Sequence, residues 1–544
     1  MPATHDVFNQ VPPLVGHDAA EYPALLEALG REGAGWAEEE LHDLGRLVGE
    51  EPTQELGRLA EAHPPELLTH DRYGHRIDEV RYDPAYHQLM DISVRSGLAG
   101  FPWADERPGA HVARAAKMMI MGEVDAGHAC PISMTYAVVP ALRAQPELAA
   151  RFEPGLTSRV YDPALRLPSE KAGLIAGMSM TEKQGGSDVR AGTTQAHPQP
   201  DGSYRLVGHK WFTSAPMSDL FLVLAQAPGG LSCFLLPRIL PDGSRNPMRL
   251  QRLKDKLGNK SNASSEVEYD DAVAWRVGDE GRGVRTIIEM VTMTRLDCTL
   301  ASAGLMRLGT TRAVHQATHR AAFGKQLVDQ PLMRNVLADL AVEAEAAVML
   351  AMRLAGATDR GARGDEREAL LRRIGLAAGK YFVCKRGPIH AAEALECFGG
   401  NGYVEDSGMP RLYREAPLLS IWEGSGNVAA LDTLRAMARE PESVQVLLDE
   451  IGLAAGADAR LDAAAVRLRD ALSDLGDLEH RARRVVEDMA LVLQGSLLVR
   501  LGHPAVADAF CASRLAGDHG SVFGTLPRGV DTAAIIERAT PKVP

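Results

Sequence analysis

The chain has 544 residues, of which 45% are hydrophobic and 24% are charged, and its formal net charge is −13. This length exceeds what one hydrophobic core supports and predicts three or four domains in an ordinary globular protein. The negative charge disfavours indiscriminate adhesion to nucleic acid or anionic membranes, although it leaves room for a local basic patch.

Two further features bear on the cellular compartment. The stretch from Met1 to Gln10 lacks the apolar core of a signal peptide, and no apolar run approaches the roughly 20 residues that span a bilayer. The six cysteines lie in apolar surroundings, and no pair has the spacing of a metal or redox site. We therefore expect a cytoplasmic protein without membrane contact, bound metal or disulfides.

Four segments follow one another along the chain. Residues 1–175 are mainly typical of helices, with apolar residues at helical spacing from Val112 to Val124. Residues 176–284 hold short β-prone runs separated by glycine turns, which predicts a small antiparallel sheet or barrel. Helical periodicity returns over 285–439, and an Ala- and Leu-rich helical tail follows over 440–544. The predicted fold is mainly α, with a central antiparallel β-barrel and an additional C-terminal helical domain.

A glycine-rich stretch opens the predicted β segment. Met178, Met180 and Thr181 lead into Gly185-Gly186-Ser187. Backbone N–H groups and a hydroxyl in such a loop can hold phosphate oxygens or the edge of a ring. A plain surface turn is the alternative, since the stretch fits neither the GxGxxG dinucleotide fingerprint nor a P-loop.

Two later segments carry side chains suited to a nucleotide. Arg320 can bind a pyrophosphate through two parallel hydrogen bonds, and Phe323 can stack on a base. The alternative for this segment is a helix end with a surface Arg and a core Phe. Gly399-Gly400 follows a predicted helix and is equally well explained as a helix cap.

One carboxylate is set apart by its neighbours. Glu423 follows Trp422, which can exclude water, and precedes Gly424, Ser425 and Gly426, which let the backbone approach a flat ligand. The pattern indicates a general base held beside a ligand. A helix end or surface loop is the common alternative for a Glu before glycines.

Taken in this order, the segments resemble the acyl-CoA dehydrogenase family of flavoproteins. The resemblance implies bound FAD and an acyl-CoA thioester substrate, with Glu423 as the catalytic base that removes the α-proton. It also implies that Arg295 and Trp422 line the substrate pocket with Glu423. The residues that it assigns to FAD are Met178, Met180, Thr181, Gly185, Gly186, Ser187, Phe212, Thr213, Ser214, Arg320, Phe323, Gly399, Gly400, Trp422, Gly424, Ser425 and Asn427.

Some of these positions have individual roles in the family. Thr181 would face the pyrimidine side of the flavin ring, and Ser187 the pyrophosphate. Ser214 replaces the usual Thr whose hydroxyl meets flavin N5. Arg320 and Phe323 match residues that reach the FAD of a neighbouring subunit. The resemblance therefore implies at least a dimer, and the family's usual assembly is a homotetramer, a dimer of dimers.

A closer resemblance is to one branch of the family, the bacterial flavoproteins of the alkylation response. It rests on the segments 7–10, 31–36, 252–259, 261–264 and 294–298, together with the helical tail. This branch implies binding of double-stranded DNA through the C-terminal helices and protection of DNA during alkylation stress. The alternative is a fully active acyl-CoA dehydrogenase of fatty-acid or amino-acid catabolism with no role at DNA.

Two departures from the family predict weak dehydrogenase activity, directed to short branched acyl-CoA thioesters. Thr292 stands where the family generally has an Asp that helps to hold the pantetheine arm of CoA. Trp211, Phe212 and Trp422 are bulky residues that narrow the pocket.

The tail gives an ambiguous signal for DNA. Residues 440–544 contain 11 Lys and Arg against 16 Asp and Glu, a net charge of −5. Phosphate neutralisation needs a basic face, and the candidates are Arg481, Arg483 and Arg484. These arginines are explained equally well as part of a solvated helix face on which they pair with nearby carboxylates.

Overall fold

The structure is a computed structural model that describes residues 4–543. Its helices are α1 (Pro23–Arg31), α2 (Glu38–Gly49), α3 (Glu51–Ala62), α4 (Pro84–Arg95), α5 (Ala110–Met121), α6 (Ala129–Leu142), α7 (Pro146–Leu156), α8 (Gly283–His319), α9 (Pro331–Ala362), α10 (Glu366–Glu396), α11 (Met409–Leu419), α12 (Gly426–Arg439), α13 (Pro441–Gly452), α14 (Ala459–Ser473), α15 (Leu478–Leu501), α16 (Pro504–Phe510) and α17 (Thr532–Ala539).

The strands lie mainly in the middle of the chain. They are β1 (Glu66–His70), β2 (Arg76–Arg81), β3 (Ala176–Ser179), β4 (Gln195–Pro198), β5 (Tyr204–Ser214), β6 (Leu220–Ala227), β7 (Gly230–Pro237), β8 (Met248–Leu253), β9 (Ser264–Val277), β10 (Ala321–Ala322) and β11 (Lys325–Gln326). The chain divides into two compact units. The helical unit comprises residues 4–51, 111–123 and 298–543, and the barrel unit comprises residues 52–110 and 124–297.

The barrel unit is built around a closed ring of five strands. The ring runs β6-β4-β5-β9-β7 and closes through the pairing of β7 with β6, while β3 flanks β6 and β8 flanks β9. Most pairs are antiparallel, but β3 and β4 run parallel to β6. Closure leaves no open edge on these five strands. The predicted mainly α fold with a central β-barrel is therefore confirmed, with two parallel pairings that the sequence did not predict.

A two-stranded hairpin interrupts the helices of the N-terminal region. Strands β1 and β2 pair around a turn in which the Asp71 carboxylate accepts hydrogen bonds from the backbone N–H groups of Tyr73 and His75, at 2.8 and 2.9 Å. Aspartate favours such turns because its side chain can replace a backbone acceptor. The mainly helical expectation for residues 1–175 overlooked this hairpin, although Asp71 and Gly74 are turn residues.

The helical unit has two long central helices. Helix α9 is buried on nearly all sides from Leu337 to Asp359, and α10 packs against it. Helices α13 to α17 follow the predicted helical tail, and α13 and α15 pack directly on α10. A helix that is surrounded by others in this way loses the one-sided apolar pattern of a surface helix. The four predicted domain ranges stay a prediction.

Charged side chains tie the tail to the central helices inside this unit. Arg514 pairs with Asp339 and Glu343 of α9, at 2.5 and 3.0 Å, and Arg538 pairs with Glu345 at 2.9 Å. These carboxylates are almost completely buried. Removal of either arginine would leave a buried charge without its partner, which is strongly destabilising. Within residues 4–543, no helix is long and apolar enough to cross a membrane.

Candidate functional site

The glycine loop that follows β3 is fixed to β5 within the barrel unit. The backbone N–H of Trp211 donates to the Thr181 carbonyl oxygen at 2.8 Å. A Cβ atom at Gly186 would lie 2.4 Å from the Thr181 hydroxyl, so only glycine fits there. Gly185 has a φ of 138° and open space around it, while Ser187 is exposed. The loop thus offers backbone and a hydroxyl to a ligand from a rigid base.

A buried ion pair between Lys210 and Glu182 holds this loop in place. Lys210 donates to the Glu182 carboxylate at 2.8 Å and to the Met180 carbonyl oxygen at 3.2 Å. Burial opposes ionisation of Glu182, but hydrogen bonds from Lys210, Thr193, Gln184 and Thr194 outweigh it and hold the pKa of this carboxyl well below its usual range. Glu182 is therefore ionised at neutral pH and anchors the loop.

The end of β5 presents an aromatic ring beside a β-bulge. The pairing of β5 with β9 shifts by one residue between Lys210 and Thr213. Such a bulge bends a strand and redirects its side chains, and Phe212 is 51% exposed. The neighbouring Thr213 is buried, and its hydroxyl lies 2.5 Å from that of Ser179. A role for Thr213 in cofactor binding would therefore use its backbone.

Two other residues of the barrel unit bear on the predicted site. The Ser214 hydroxyl lies 3.2 Å from the Ser264 hydroxyl, and Arg295 is buried on α8. Sequence reasoning missed Lys254, whose ammonium lies 3.3 Å from the centre of the Trp211 ring and 4.8 Å from that of Phe212. The concentration of basic residues from Arg252 to Lys256 was a signal for it. A cation over these rings is favourable by cation–π attraction.

In the helical unit, Glu423 lies in the turn between α11 and α12. Its φ is +56° and that of Gly424 is +101°, both in the left-handed region. A non-glycine residue in this region is strained and needs support from its surroundings. The support comes from Lys380 of α10, whose ammonium donates to the carbonyl oxygens of Trp422, at 2.8 Å, and of Gly424. Glu423 itself is half-buried.

Trp422, the residue before Glu423, anchors this turn to the helical core. Its ring packs against a buried cluster of α8, α10 and α11 side chains that includes Leu305, Leu412 and Leu419. Its indole Nε1–H is buried and has no hydrogen-bond partner among residues 4–543. A buried donor without an acceptor is costly, so this N–H is suited to a ligand or a water molecule.

The first residues of α12 are open for contact. Ser425 occupies the N-cap position, where serine normally bonds to the helix backbone, yet it makes no such bond and is exposed. Asn427 is exposed as well. Because the first N–H groups of a helix have no partner inside the helix, this end favours an anionic group such as a phosphate.

Arg320 and Phe323 lie on a small hairpin formed by β10 and β11. Phe323 and Gly324 form its two-residue turn, with φ values of 52° and 78°, as a type I′ turn requires. The Arg320 guanidinium donates to the Asn9 carbonyl oxygen at 2.5 Å, and the Asn9 side chain bonds to the backbone of Ala321. Phe323 is 99% exposed. The hairpin therefore presents an apolar ring at its tip.

The glycine pair and the three tail arginines complete the predicted set. Gly399 and Gly400 are exposed, and a Cβ at either position would meet nothing within 4 Å. Each arginine has a local partner: Arg481 the Asp474 carboxylate at 3.2 Å, Arg483 the Tyr381 hydroxyl at 3.2 Å, and Arg484 the Asp488 carboxylate at 3.2 Å. Arg481 and Arg484 thus form the paired charges of a solvated helix face, while Arg483 contacts α10.

Several observations fit a flat, phosphate-bearing cofactor. They are the open glycine turns, the exposed rings of Phe212 and Phe323, the partnerless indole N–H of Trp422 and the uncapped start of α12. Aromatic faces and glycine backbone suit an isoalloxazine or adenine ring, and a helix N-terminus suits its phosphates. The residues present therefore fit FAD.

Comparison with known proteins agrees with this chemistry. The family described as "Adaptive response protein AidB N-terminal domain" matches residues 9–163. The family described as "Acyl-CoA dehydrogenase, middle domain" matches residues 177–272, and "Acyl-CoA dehydrogenase, C-terminal domain" matches residues 281–438.

Two relatives and two solved structures illustrate the similarity. The chain is 47% identical to AidB of Escherichia coli over 514 residues, which cover 93% of this chain and 94% of that protein. It is 34% identical to acyl-CoA dehydrogenase family member 11 of Caenorhabditis elegans, over 68% of this chain and 61% of that protein. The structure of C. elegans ACDH-11 in complex with C11-CoA has a TM-score of 0.85 at 28% identity and covers 94% of each chain. A Bacillus anthracis acyl-CoA dehydrogenase complexed with FAD has a TM-score of 0.62 at 17% identity, covers 84% of this chain and 79% of that chain, and supports the fold alone.

Proposed function

Because the chain belongs to the acyl-CoA dehydrogenase family, in its AidB branch, and is an FAD-dependent oxidoreductase, we propose that Glu423 is its catalytic base. In this proposal Glu423 removes the α-proton of an acyl-CoA thioester. The β-hydrogen leaves as a hydride, so that the acyl chain becomes an α,β-unsaturated thioester. Bound FAD supplies the two-electron acceptor for that hydride.

The observation that carries this proposal is the turn that holds Glu423. A general base must be held within reach of the proton and shielded from water. Two hydrogen bonds from Lys380 fix the turn, Trp422 anchors it to a buried apolar cluster, and Glu423 is half-buried. The N–H of Glu423 would donate to the thioester carbonyl, because polarisation of that carbonyl makes the α-proton acidic enough to remove.

Replacement of the carboxylate tests the proposal directly. We expect FAD-loaded Glu423→Gln to keep the visible flavin spectrum but to lose flavin bleaching on anaerobic mixing with isovaleryl-CoA, by at least 100-fold. Glu442→Gln, an exposed carboxylate at the start of α13, is the matched control and should behave as wild type. Bleaching of Glu423→Gln at the wild-type rate would exclude Glu423 as the base.

We also propose that turnover is weak and is directed to short branched acyl groups. The support is the bulk of Trp211 and Phe212 at the end of β5, where the Phe212 ring is 51% exposed. ACDH-11, in contrast, is known in complex with C11-CoA. Rates with isovaleryl-CoA and with an 11-carbon acyl-CoA compare the two chain lengths. A faster reaction with the longer thioester would overturn this substrate class, and fast turnover of both would favour a catabolic dehydrogenase.

The proposed assembly is a homotetramer, arranged as a dimer of dimers. Its support is the Phe323 ring at the tip of the β10–β11 hairpin, which is almost fully exposed in the single chain. An isolated exposed phenyl ring on a stiff turn is suited to a neighbouring subunit and to the FAD that this subunit holds.

A second candidate function is protective binding of double-stranded DNA during alkylation stress. It is favoured by the 47% identity to AidB over nearly the whole chain. The acidic tail and the local partners of Arg481, Arg483 and Arg484 count against simple phosphate binding by this cluster.

The salt dependence of the affinity for duplex DNA tests whether these arginines contact DNA phosphates. If the tail binds duplex DNA through these arginines, the triple change of Arg481, Arg483 and Arg484 to Ala should lower affinity and reduce the slope of log K against log salt by about 2 to 3. Gel-shift titrations at 50 and 200 mM salt measure both quantities. An unchanged affinity of the triple variant would exclude this cluster as the contact.

A further inference from the structure

Lys380 lies in the middle of α10 in otherwise apolar and aromatic surroundings. The sequence from Gly375 to Cys384 contains no other charged residue, and the Lys380 side chain is only 1% exposed. Burial of an ammonium group is costly unless polar atoms replace its hydration shell. The position of this lysine therefore calls for specific partners.

The partners of Lys380 are the two carbonyl groups on either side of the Glu423 residue. The ammonium donates to the Trp422 oxygen at 2.8 Å and to the Gly424 oxygen. Within the described part of the chain, Lys380 forms no ion pair with a carboxylate at 4.0 Å or less. Its charge is therefore balanced by the carbonyl dipoles of the turn that holds Glu423.

These bonds bear on the geometry of Glu423. The residue has a φ of +56°, which L-residues other than Asn and Asp rarely adopt. The Trp422 carbonyl belongs to the peptide group directly before Glu423, and the Gly424 carbonyl belongs to the peptide group after Gly424. One donor therefore ties the two ends of the Glu423-Gly424 segment and restricts the rotation of the peptide planes at those ends. The direction of the side chain between them is then fixed as well.

We propose that Lys380 is a positioning residue for Glu423, which holds the turn in its left-handed conformation and favours the carboxylate form by its charge. The inference rests on the proposed role of Glu423 as the base. Lys380 touches neither substrate nor cofactor in this account, because its ammonium is directed to the backbone of the turn.

Three substitutions separate the hydrogen bonds from the charge. Lys380→Met removes both, Lys380→Gln keeps a donor without charge, and Lys380→Arg keeps donors and charge. Lys542→Met is the control, because Lys542 is an exposed lysine of the helical unit that pairs with Glu21, away from the 422–425 turn.

The first measurement is the pH dependence of flavin reduction by isovaleryl-CoA in the FAD-loaded variants. We expect Lys380→Met to reduce the rate at pH 7 at least tenfold and to move the midpoint of the pH–rate profile upward by about one pH unit. Lys380→Gln should show the same shift of the midpoint, Lys380→Arg should restore most of the wild-type profile, and Lys542→Met should match wild type. A purely structural role would lower the rate at every pH without moving the midpoint.

The second measurement does not depend on turnover. Deuterium uptake by the peptide that contains residues 422–425 should rise several-fold in Lys380→Met, remain closer to wild type in Lys380→Gln and not change in Lys542→Met. If Lys380→Met fails to retain FAD, Lys380→Gln takes its place. The pH–rate midpoint of Lys380→Gln then tests the role of the charge, and deuterium uptake by Lys380→Gln tests the role of the hydrogen bonds. Wild-type uptake and an unmoved midpoint in Lys380→Gln and Lys380→Met would overturn the inference. Absence of flavin reduction in the wild type would instead overturn the proposed function and leave the exchange result to decide positioning.

Discussion

At the scale of single residues, the chain combines carboxylates and cations inside apolar surroundings. Glu182 accepts hydrogen bonds from Lys210, Gln184, Thr193 and Thr194, so that its charge is fully solvated by the protein. Such a site stabilises the fold only while it is complete. When one partner of a buried pair is removed, the remaining charge has neither water nor a counter-ion.

Lys210→Met should therefore be strongly destabilising. The free energy of unfolding is expected to fall by about 3 to 5 kcal/mol, because Glu182 is left buried without its cation. FAD affinity should fall too, since Lys210 also bonds to Met180 in the glycine loop. Chemical denaturation and flavin fluorescence measure the two effects. The double variant Glu182→Gln/Lys210→Met is the control and should recover much of the stability, and a single variant as stable as wild type would contradict the prediction.

At the scale of elements, the short β10–β11 hairpin shows how a local turn produces an interaction surface. The two positive φ values at Phe323 and Gly324 arise from the two-residue turn itself. Asn9 fixes the base of the hairpin through its side chain. The exposed ring is therefore held in a defined place and can serve a neighbouring subunit.

Phe323→Ala should weaken self-association without weakening the single chain. The ring is 99% exposed, so its loss should change the unfolding free energy of the chain by about 0.5 kcal/mol or less. The oligomer should dissociate at higher protein concentration than wild type, and FAD affinity should fall with it. Sedimentation velocity and flavin titration are the measurements. Tyr73→Ala, which removes an exposed ring at the β1–β2 turn, is the control, and an unchanged assembly of Phe323→Ala would argue against contact through this hairpin.

The helices of the tail pack against the central helices of the helical unit. Helices α13 and α15 lie directly on α10, and Arg353 of α9 bonds to Glu368 of α10 and Glu450 of α13. The tail therefore covers the central helices of the helical unit and contributes to its core. Some of the arginines and carboxylates in the tail therefore form ion pairs with the central helices. The net charge of the tail does not show which of its charged residues are paired in this way.

At the scale of the whole molecule, buried histidines link stability to pH. His17, His111 and His390 lie within the helical unit, and in each case burial is the main reason that the pKa falls from 6.5 to about 4. The unfolded chain takes up protons near pH 6.5, whereas the folded chain takes them up only near pH 4. The stability that these residues contribute is therefore present above pH 6.5 and is lost as the pH falls towards 4.

The free energy of unfolding should accordingly fall by several kcal/mol between pH 7 and pH 4.5. Asp219 has the opposite effect on the free energy of unfolding, because burial raises its pKa to about 6. The effect of this one carboxyl is smaller than the combined effect of the three histidines. Urea denaturation at a series of pH values measures the trend. His390→Gln removes one of the titrating groups and should reduce the fall by roughly a third. A stability that is constant over this range would show that these histidines titrate normally in the folded chain.

The sequence by itself determined the class of the protein and the order of its parts. Hydrophobic periodicity separated helices from strands, because spacings of 3.6 and 2 residues are local properties. The barrel strands β3 to β9 fall within the β-prone segment 176–284, and the helices α9 to α12 fall within the helical segment 285–439. The glycine loop at Gly185 and the Glu423 turn were recognised from residue type, since glycine and an isolated carboxylate carry chemical meaning without a fold.

Only the tertiary structure decided which side chains meet. Lys380 lies 43 residues before Glu423 in the chain, and nothing in their spacing predicts that the lysine holds the turn. The parallel pairing of β4 with β6 in the barrel, and the hydrogen bond of Arg483 to Tyr381, depend likewise on contacts distant in sequence. The physical reason is that burial and hydrogen-bond partners are set by packing between segments, whereas a sequence pattern reports only the preference of each segment alone.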